Sequence, residues 1–355
     1  MKNIRVALAG AGNCAWSFAQ FVAQAQAAPD TKLPGLMCHT LGGYRLADVR
    51  IVAAFDVDEA KVGRPLAEAF AAPAISATGF TALGADRDAP VLPAPVLDGL
   101  VGPLGAVVRP APAVRDATPE DVAKALVEHE VDVLVIALPT GASQSIRMFA
   151  QAALTAGTAV VNCTPEELAR DETIARRFAD AGVVLLGDDL RSHLGATCLH
   201  TALIELLLSR GLELESTYQL NVGGNTDFLN LADTARSASK FTSKANALRA
   251  AGMTDVDGVA GPSGFIGHLA DTKLCFANVT AKSVLGSEVR IDIKLTVEDS
   301  PNAAGVIANA VRAAKTAGDR GLSGTVDAPS PLLFKSPPRG LPESEARTAF
   351  LDFAS

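Results

Sequence analysis

Two kinds of apolar pattern divide the chain, changing near residue 190 and changing back near residue 303. In the first, short continuous apolar runs alternate with helix-period segments, as expected of strands buried on both faces between crossover helices. The runs are Ile4–Ala9, Val49–Phe55, Val131–Leu138, Ala159–Asn162 and Val183–Leu186. An apolar-rich helix is expected on to about Ala27, and another after the cap Thr118-Pro119-Glu120-Asp121. A third spans Ser143–Ala156 with Gly157 as its stop, and a fourth follows Thr164-Pro165-Glu166-Glu167 and ends at Gly182. Pro29–Asp48 reads as an inserted loop. Ala71–Ala117, rich in Ala, Pro and Gly, has too little periodicity to assign, apart from a candidate cofactor-facing loop at Leu97-Asp98-Gly99. After a helix near Leu194–Ser209 the pattern alternates: Leu212–Val222, Lys273–Ala281 and Val289–Val297 read as half-exposed strands, which suggests an antiparallel sheet and a second domain. An Ala-rich helix, Ala303–Ala317, returns to the first register.

Composition narrows the class. With 355 residues, 48% hydrophobic and 20% charged, the chain is an ordinary globular protein of two or three domains. No apolar run approaches the ~20 residues of a membrane span, and MKNIRVALAGAG carries neither a signal-peptide nor a transit pattern. A cytoplasmic location without membrane partners is therefore expected. The five cysteines (Cys14, Cys38, Cys163, Cys198, Cys275) lack ligand spacing and are expected to be reduced, buried small residues. A net charge of −8, one Trp and two Tyr argue against nucleic acid as a partner. Any anionic ligand must be held by local donors.

Gly10-Ala11-Gly12-Asn13-Cys14-Ala15 joins the first strand to a helix and fits GxGxxA, in which the glycines allow a tight turn and bring a pyrophosphate to the helix N-terminus. Val49–Phe55 runs into Asp56, where a carboxylate would bind an adenosine ribose and disfavour a 2′-phosphate, so NAD is expected over NADP. Pro139-Thr140-Gly141 closes a strand on the nicotinamide side, and Gly187-Asp188-Asp189 stands at the C-terminal end of another. Asn221–Lys244 then brings together a glycine pair, Asn225, Asp227, Lys240 and Lys244. The two lysines are four apart, so on a helix both ammonium groups share one face and one can depress the pKa of the other. Such donors suit a phosphorylated, hydroxyl-rich substrate. By themselves these residues also fit a glycine turn followed by a solvated helix face.

Eight motifs in order resemble the myo-inositol-1-phosphate synthase family, particularly its shorter bacterial and archaeal kind: GAGNC (10–14), AAFDVD (53–58), LPTG (138–141), GDD (187–189), LNVGGNTDFLN (220–230), SKxxSK (239–244), EDSPNAAGV (298–306) and LLFKSPP (332–338). The resemblance implies an α/β fold in which a Rossmann domain, 1–190 with 299–355, holds an inserted α+β domain, 191–298, with a mixed or antiparallel sheet for catalysis and oligomerisation. It implies a cytoplasmic homotetramer that converts glucose 6-phosphate to inositol phosphate with no net redox change. Bound NAD oxidises C5, C6 is deprotonated and attacks the C1 aldehyde, and the ring ketone is reduced. Carried over residue by residue, the family's catalytic set is Lys240, Lys244, Lys273, Lys335, Asp189, Asp227 and Asp299. Lys244 takes the proton-transfer role, and the four lysines with Asn225 and Ser239 contact substrate. NAD contacts fall to Gly10, Gly12, Asn13, Cys14, Asp56, Pro139, Gly141, Asn162 and Asp188. Relatives differ in needing a divalent metal or a monovalent cation, which leaves the metal open. Arg191-Ser192-His193, where members often read Lys-Ser, and the absence of a tyrosine-containing run in Leu97–Gly105 leave the exact sugar phosphate open. A simple NAD-dependent sugar or polyol dehydrogenase and a dinucleotide sensor are the alternatives; the lysine quartet argues against a sensor, which has no oxyanion to stabilise.

Overall fold

The computed structural model describes residues 2–253 and 257–355; the side chains at 234, 237–239, 243, 250 and 257–259 lie outside the described set. In chain order the strands are β1 (Ile4–Ala9), β2 (Thr40–Leu41), β3 (Tyr44–Arg45), β4 (Val49–Asp56), β5 (Val91–Pro93), β6 (Val133–Ile136) and β7 (Ala159–Asn162). They continue with β8 (Val184–Leu186), β9 (Glu213–Gly223), β10 (Asp257–Phe265), β11 (Thr272–Lys282), β12 (Glu288–Glu298) and β13 (Gly324–Thr325). The helices are α1 (Asn13–Ala27), α2 (Leu66–Ala69), α3 (Pro119–Glu128), α4 (Ser143–Ala156), α5 (Glu172–Asp180) and α6 (Ala196–Ser209). After them come α7 (Thr226–Leu231), α8 (Thr234–Ala250), α9 (Asp299–Asp319), α10 (Ser330–Leu333) and α11 (Glu343–Ala354).

Seven parallel strands form one sheet in the order β13-β8-β7-β6-β1-β4-β5. Ile4, Val6 and Leu8 of β1 enter one core with α1 and α9, while Ala7 and Ala9 enter a second core with α3 and α4. Burial on both faces is why these strands read as continuous apolar runs. Strand order reverses between β1 and β6, and a ligand crevice is expected outside the strand C-termini at such a point. The inserted loop 29–48 is pinned over α9 by the fully buried Arg312, whose guanidinium donates to Cys38 O (3.0 Å) and His39 O (3.1 Å).

A second sheet, β10-β9-β11-β12, is covered on one face by α6 and α8. It is mixed: β9 pairs antiparallel with β11 but parallel with β10, a strand whose DGVAGPSGF sequence gave no alternation to read. The opposite face leaves Tyr218, Leu220 and Phe276 partly exposed. One end of this sheet, where Lys273 pairs with Gly223 on one side and Val297 on the other, meets the strand C-termini of the first sheet.

One expected helix start moves. Thr164 caps no helix, because its hydroxyl donates to Asn162 Oδ1 (2.7 Å) and the following amides of Leu168, Ala169 and Arg170 turn to the buried carboxylate of Asp188. The helix begins instead at Asp171, whose carboxylate accepts from Thr173 N and Ile174 N. The cysteines are unpaired, and only Cys275 is fully buried; the other four are half-buried.

Candidate active site

One cavity runs from the β1–α1 turn to the lysines of α8. At its first end Gly10 has φ +96°, and a Cβ there would stand 2.8 Å from Ala137 O, so only glycine lets the turn pass under β6. Gly12 caps α1, and a Cβ there would meet nothing within 4 Å, leaving open space above the first amides of the helix. That cradle fits a pyrophosphate. Asn13 faces the cavity but is spent on the loop above it: Oδ1 accepts from Ser76 N (2.8 Å) and Ala77 N (3.0 Å). Asp56 ends β4 with its carboxylate fully engaged. Oδ2 accepts from Ala11 N (3.0 Å) and Lys61 Nζ (3.1 Å), and Oδ1 accepts from Val57 N and Asp58 N. Cys14 and Pro139 also line the wall. Burial, then the charges of Asp299, Asp271 and Asp227, push the Cys14 thiol up to about 12, which keeps it an inert thiol.

At the other end four lysine amines meet three carboxylates. Lys240 and Lys244 project from one face of α8, Lys273 from the second residue of strand β11, and Lys335 from the segment after α10. Asp189 Oδ1 lies 2.8 Å from Lys335 Nζ and 3.7 Å from Lys240 Nζ. Asp189 itself sits at φ +56°, a left-handed position that a non-glycine residue rarely takes. Its backbone is clamped there by Asp189 N to Thr164 O (2.7 Å) and Lys335 N to Asp189 O (2.7 Å). Asp227 stands 3.9 Å from Lys240 and accepts from Thr140 Oγ1. Asp299, first residue of α9, pairs with Lys273 at 2.9 Å. Asn225 caps α7 through Oδ1 and donates from Nδ2 to Asp271 Oδ1 (3.1 Å); Asp271 also takes Ser300 N and Ser300 Oγ, locking the start of α9.

These pairings divide the lysines. Burial opposes the charge on Lys240, yet Asp189, Asp227 and Asp299 together raise its pKa, and Asp299 does the same for buried Lys273. Burial lowers Lys335 against the pull of Asp189. Lys244 has no carboxylate partner among the described residues; burial and the charges of Lys273, Lys335 and Lys240 hold its pKa well below the ordinary lysine value. It is therefore the amine suited to accept a proton, beside three ammoniums suited to bind oxyanions.

Three of the expected cofactor residues stand behind the wall. Asn162 and Asp188 are fully buried and bonded to each other (2.8 Å), Asp188 gathering the 168–170 amides. Burial raises the Asp188 carboxyl to about 6 against those hydrogen bonds. Gly141, at φ +83°, gives way to the Arg236 side chain. The side chain of Ser239 lies outside the described residues. Sequence reasoning passed over Lys61, whose signal is its place three and five residues after the two aspartates of DVD. It also passed over Arg236, which donates to Asp98 O and ties α8 to the Leu97–Gly99 loop. Asp98 caps α4 through Gln144 N (2.8 Å) and Ser145 N (3.0 Å). Arg191 lines the cavity with its guanidinium paired to Glu343. Among the described residues no group of three or more His, Cys, Asp or Glu could hold a metal ion, and no helix is long and apolar enough to cross a membrane.

Comparison with known proteins gives the same direction. A family model described as myo-inositol-1-phosphate synthase matches residues 195–300. Inositol-3-phosphate synthase of Mycolicibacterium smegmatis is 42% identical over 362 residues, covering 99% of this chain and 98% of that one. The Corynebacterium glutamicum protein of the same name is 41% identical, covering 98% and 96%. Among solved structures, that of Ari2 superposes with a TM-score of 0.79 at 35% identity, covering 99% of this chain and 98% of that one. A myo-inositol-1-phosphate synthase-related protein from Thermotoga maritima, at 21% identity and TM-score 0.80 over 99% and 98%, shares the fold. With near-complete coverage at this identity, and with the lysine–carboxylate cluster set opposite a dinucleotide cradle, the chain belongs to the myo-inositol-1-phosphate synthase family and is, with it, an enzyme that makes inositol phosphate.

Proposed function

We propose that the enzyme cyclises D-glucose 6-phosphate to 1D-myo-inositol 3-phosphate with bound NAD and no net redox change. The observation that carries this reading is the division of the lysines: three sit with carboxylates, and Lys244 lies among them in burial without one among the described residues. NAD would supply the hydride acceptor and donor at C5, held by the Gly10–Gly12 turn and Asp56. Lys244 Nζ, whose pKa burial and the neighbouring lysines lower, takes the proton of the C5 hydroxyl. Lys240, Lys273 and Lys335 bind the phosphate and the C1 oxygen and stabilise the oxyanion that develops at closure. Asp189, Asp227 and Asp299 hold those ammoniums in place. Residues 1–190 with 299–355 form the cofactor domain in this reading, and 191–298 the substrate and assembly domain. A cytoplasmic homotetramer belongs to the same proposal, the partly exposed Tyr218, Leu220 and Phe276 face supporting association; sedimentation of the purified protein tests it.

The experiment is incubation of purified protein with glucose 6-phosphate and NAD, followed by detection of inositol phosphate. Absence of a cyclised product from any hexose or heptose phosphate would overturn the proposal. Net accumulation of NADH would mark a sugar or polyol dehydrogenase instead.

A further inference from the structure

Four polar side chains that the reaction above leaves unused form a row that ends at the cavity wall. Thr217, Gln219 and Asn221 alternate along β9 and so share one face. His200 of α6 packs against that face, and all four residues are buried. His200 Nε2 lies 2.6 Å from Thr217 Oγ1, and the Thr217 hydroxyl proton is already given to Asn278 O at 2.6 Å. The imidazole proton must therefore be on Nε2, which leaves Nδ1 as an acceptor. Gln219 donates to it from Nε2 at 3.2 Å, which turns Gln219 Oε1 toward Asn221. Asn221 Nδ2 spends its two protons on Gln219 Oε1 (3.1 Å) and Gly261 O (2.9 Å). Its remaining polar atom, Oδ1, is buried and has no partner among the described residues, on a residue that lines the cavity. A buried carbonyl without a donor is costly unless a ligand supplies one.

We propose that His200 and Gln219, neither of which lines the cavity, are positioning residues that fix the polarity of the Asn221 amide, so that its carbonyl oxygen meets a substrate hydroxyl. The ligand's identity as a sugar phosphate rests on the function proposed above; the polarity of the row does not. Reversing any member faces like against like. A turned Asn221 would set its oxygen against Gln219 Oε1 and Gly261 O, and an imidazolium would set Nδ1–H against the Gln219 NH2. Burial, helped by the charge of Lys244, keeps His200 neutral by lowering its pKa to about 4.

Two measurements on the full chain test this. In protein labelled with 15N at histidine, the His200 ring should hold one neutral, Nε2-protonated tautomer from about pH 5 to 8, where an ordinary histidine titrates. An Nδ1-protonated ring, or titration near the ordinary ~6.5, overturns the proposal whether or not the protein turns over glucose 6-phosphate. In steady-state assays with saturating NAD, Gln219→Met should raise KM for the sugar phosphate about tenfold with kcat changed far less, as expected for one neutral hydrogen bond. Gln219→Glu, protonated in burial so that its hydroxyl donates to His200 Nδ1 while its carbonyl oxygen still accepts from Asn221 Nδ2, should recover most of that loss. Equal defects in the two variants, or an unchanged KM in Gln219→Met, would overturn it. A wild-type protein that shows the Nε2 tautomer but forms no cyclised product would count against the proposed reaction alone.

Discussion

The two ends of the cavity differ in how far the chain itself satisfies them. At the β1–α1 end every oxygen of Asp56 is engaged, by three backbone amides and Lys61, and Asn13 is spent on the loop above. At the α8 end four lysine amines share three carboxylates, and among the described residues Lys244 has no acidic partner and Asn221 Oδ1 no donor. The first end is built largely by backbone groups that a parallel sheet supplies at its strand ends, so its polar groups are satisfied within the chain. The second carries an electrostatic cost that an anionic, hydroxyl-bearing ligand relieves. Local inconsistency of that kind is where a fold gives up stability for chemistry.

The largest break in this contrast comes from Lys244. Lys244→Ala should lower turnover on the order of 10²–10⁴-fold, the range of a lost acid–base group, while NAD affinity measured by titration stays within error. A retained rate removes Lys244 from the proton transfer. The same residue should betray its cost in stability. A lysine whose folded pKa lies below its unfolded value near ~10.4 binds fewer protons when folded, so its penalty is complete below the folded pKa and fades as pH rises toward the unfolded one. Wild type should therefore gain stability relative to Lys244→Met as pH rises through that window, and Lys244→Met should be the more stable by about 2 kcal/mol at neutral pH. Parallel pH profiles of the two melting midpoints would show that the amine is not buried in the way the geometry requires.

Much of the contrast was open to reading from residue order, and the remainder depended on what lies beside what. Ile4–Ala9, Ala159–Asn162 and Ser143–Ala156 were legible because burial on both faces, or a left-handed Gly157 (φ +70°), leaves a local mark. β10 was not, since a Gly- and Pro-bearing strand takes its place from parallel pairing to β9 rather than from its own pattern. The cap at Thr164 failed because Asp188, from another strand end, claimed the amides. Among site residues, the motifs named the lysines and aspartates but could not say that Lys273 and Lys335 each gain a close carboxylate while Lys244 gains none among the described residues. Asn162 and Asp188 sit in motif positions and are bonded to each other behind the wall, a fact of depth that spacing does not carry.

The smaller effects belong to the satisfied end, where Asp56 and Lys61 make opposite predictions. Asp56→Ala removes the carboxylate proposed above to hold the ribose and leaves the Lys61 ammonium with Asp58, at 3.9 Å, in place of its 3.1 Å partner. NAD should weaken roughly tenfold or more and the preference over NADP should relax, because a lysine released from Asp56 can turn to a 2′-phosphate. Lys61→Met removes the cation but leaves Asp56 bonded to the amides of Ala11, Val57 and Asp58. NAD affinity should then shift by only about threefold, as for one lost partner among several, and the preference over NADP should sharpen. The double variant separates the two terms: if Lys61 is what admits NADP in Asp56→Ala, then Asp56→Ala/Lys61→Met should lose that gain, giving a coupling between the sites instead of a sum. Additive changes in the NAD-to-NADP affinity ratio across the four proteins would mean that Lys61 only braces the carboxylate, and that the cofactor end discriminates through Asp56 alone.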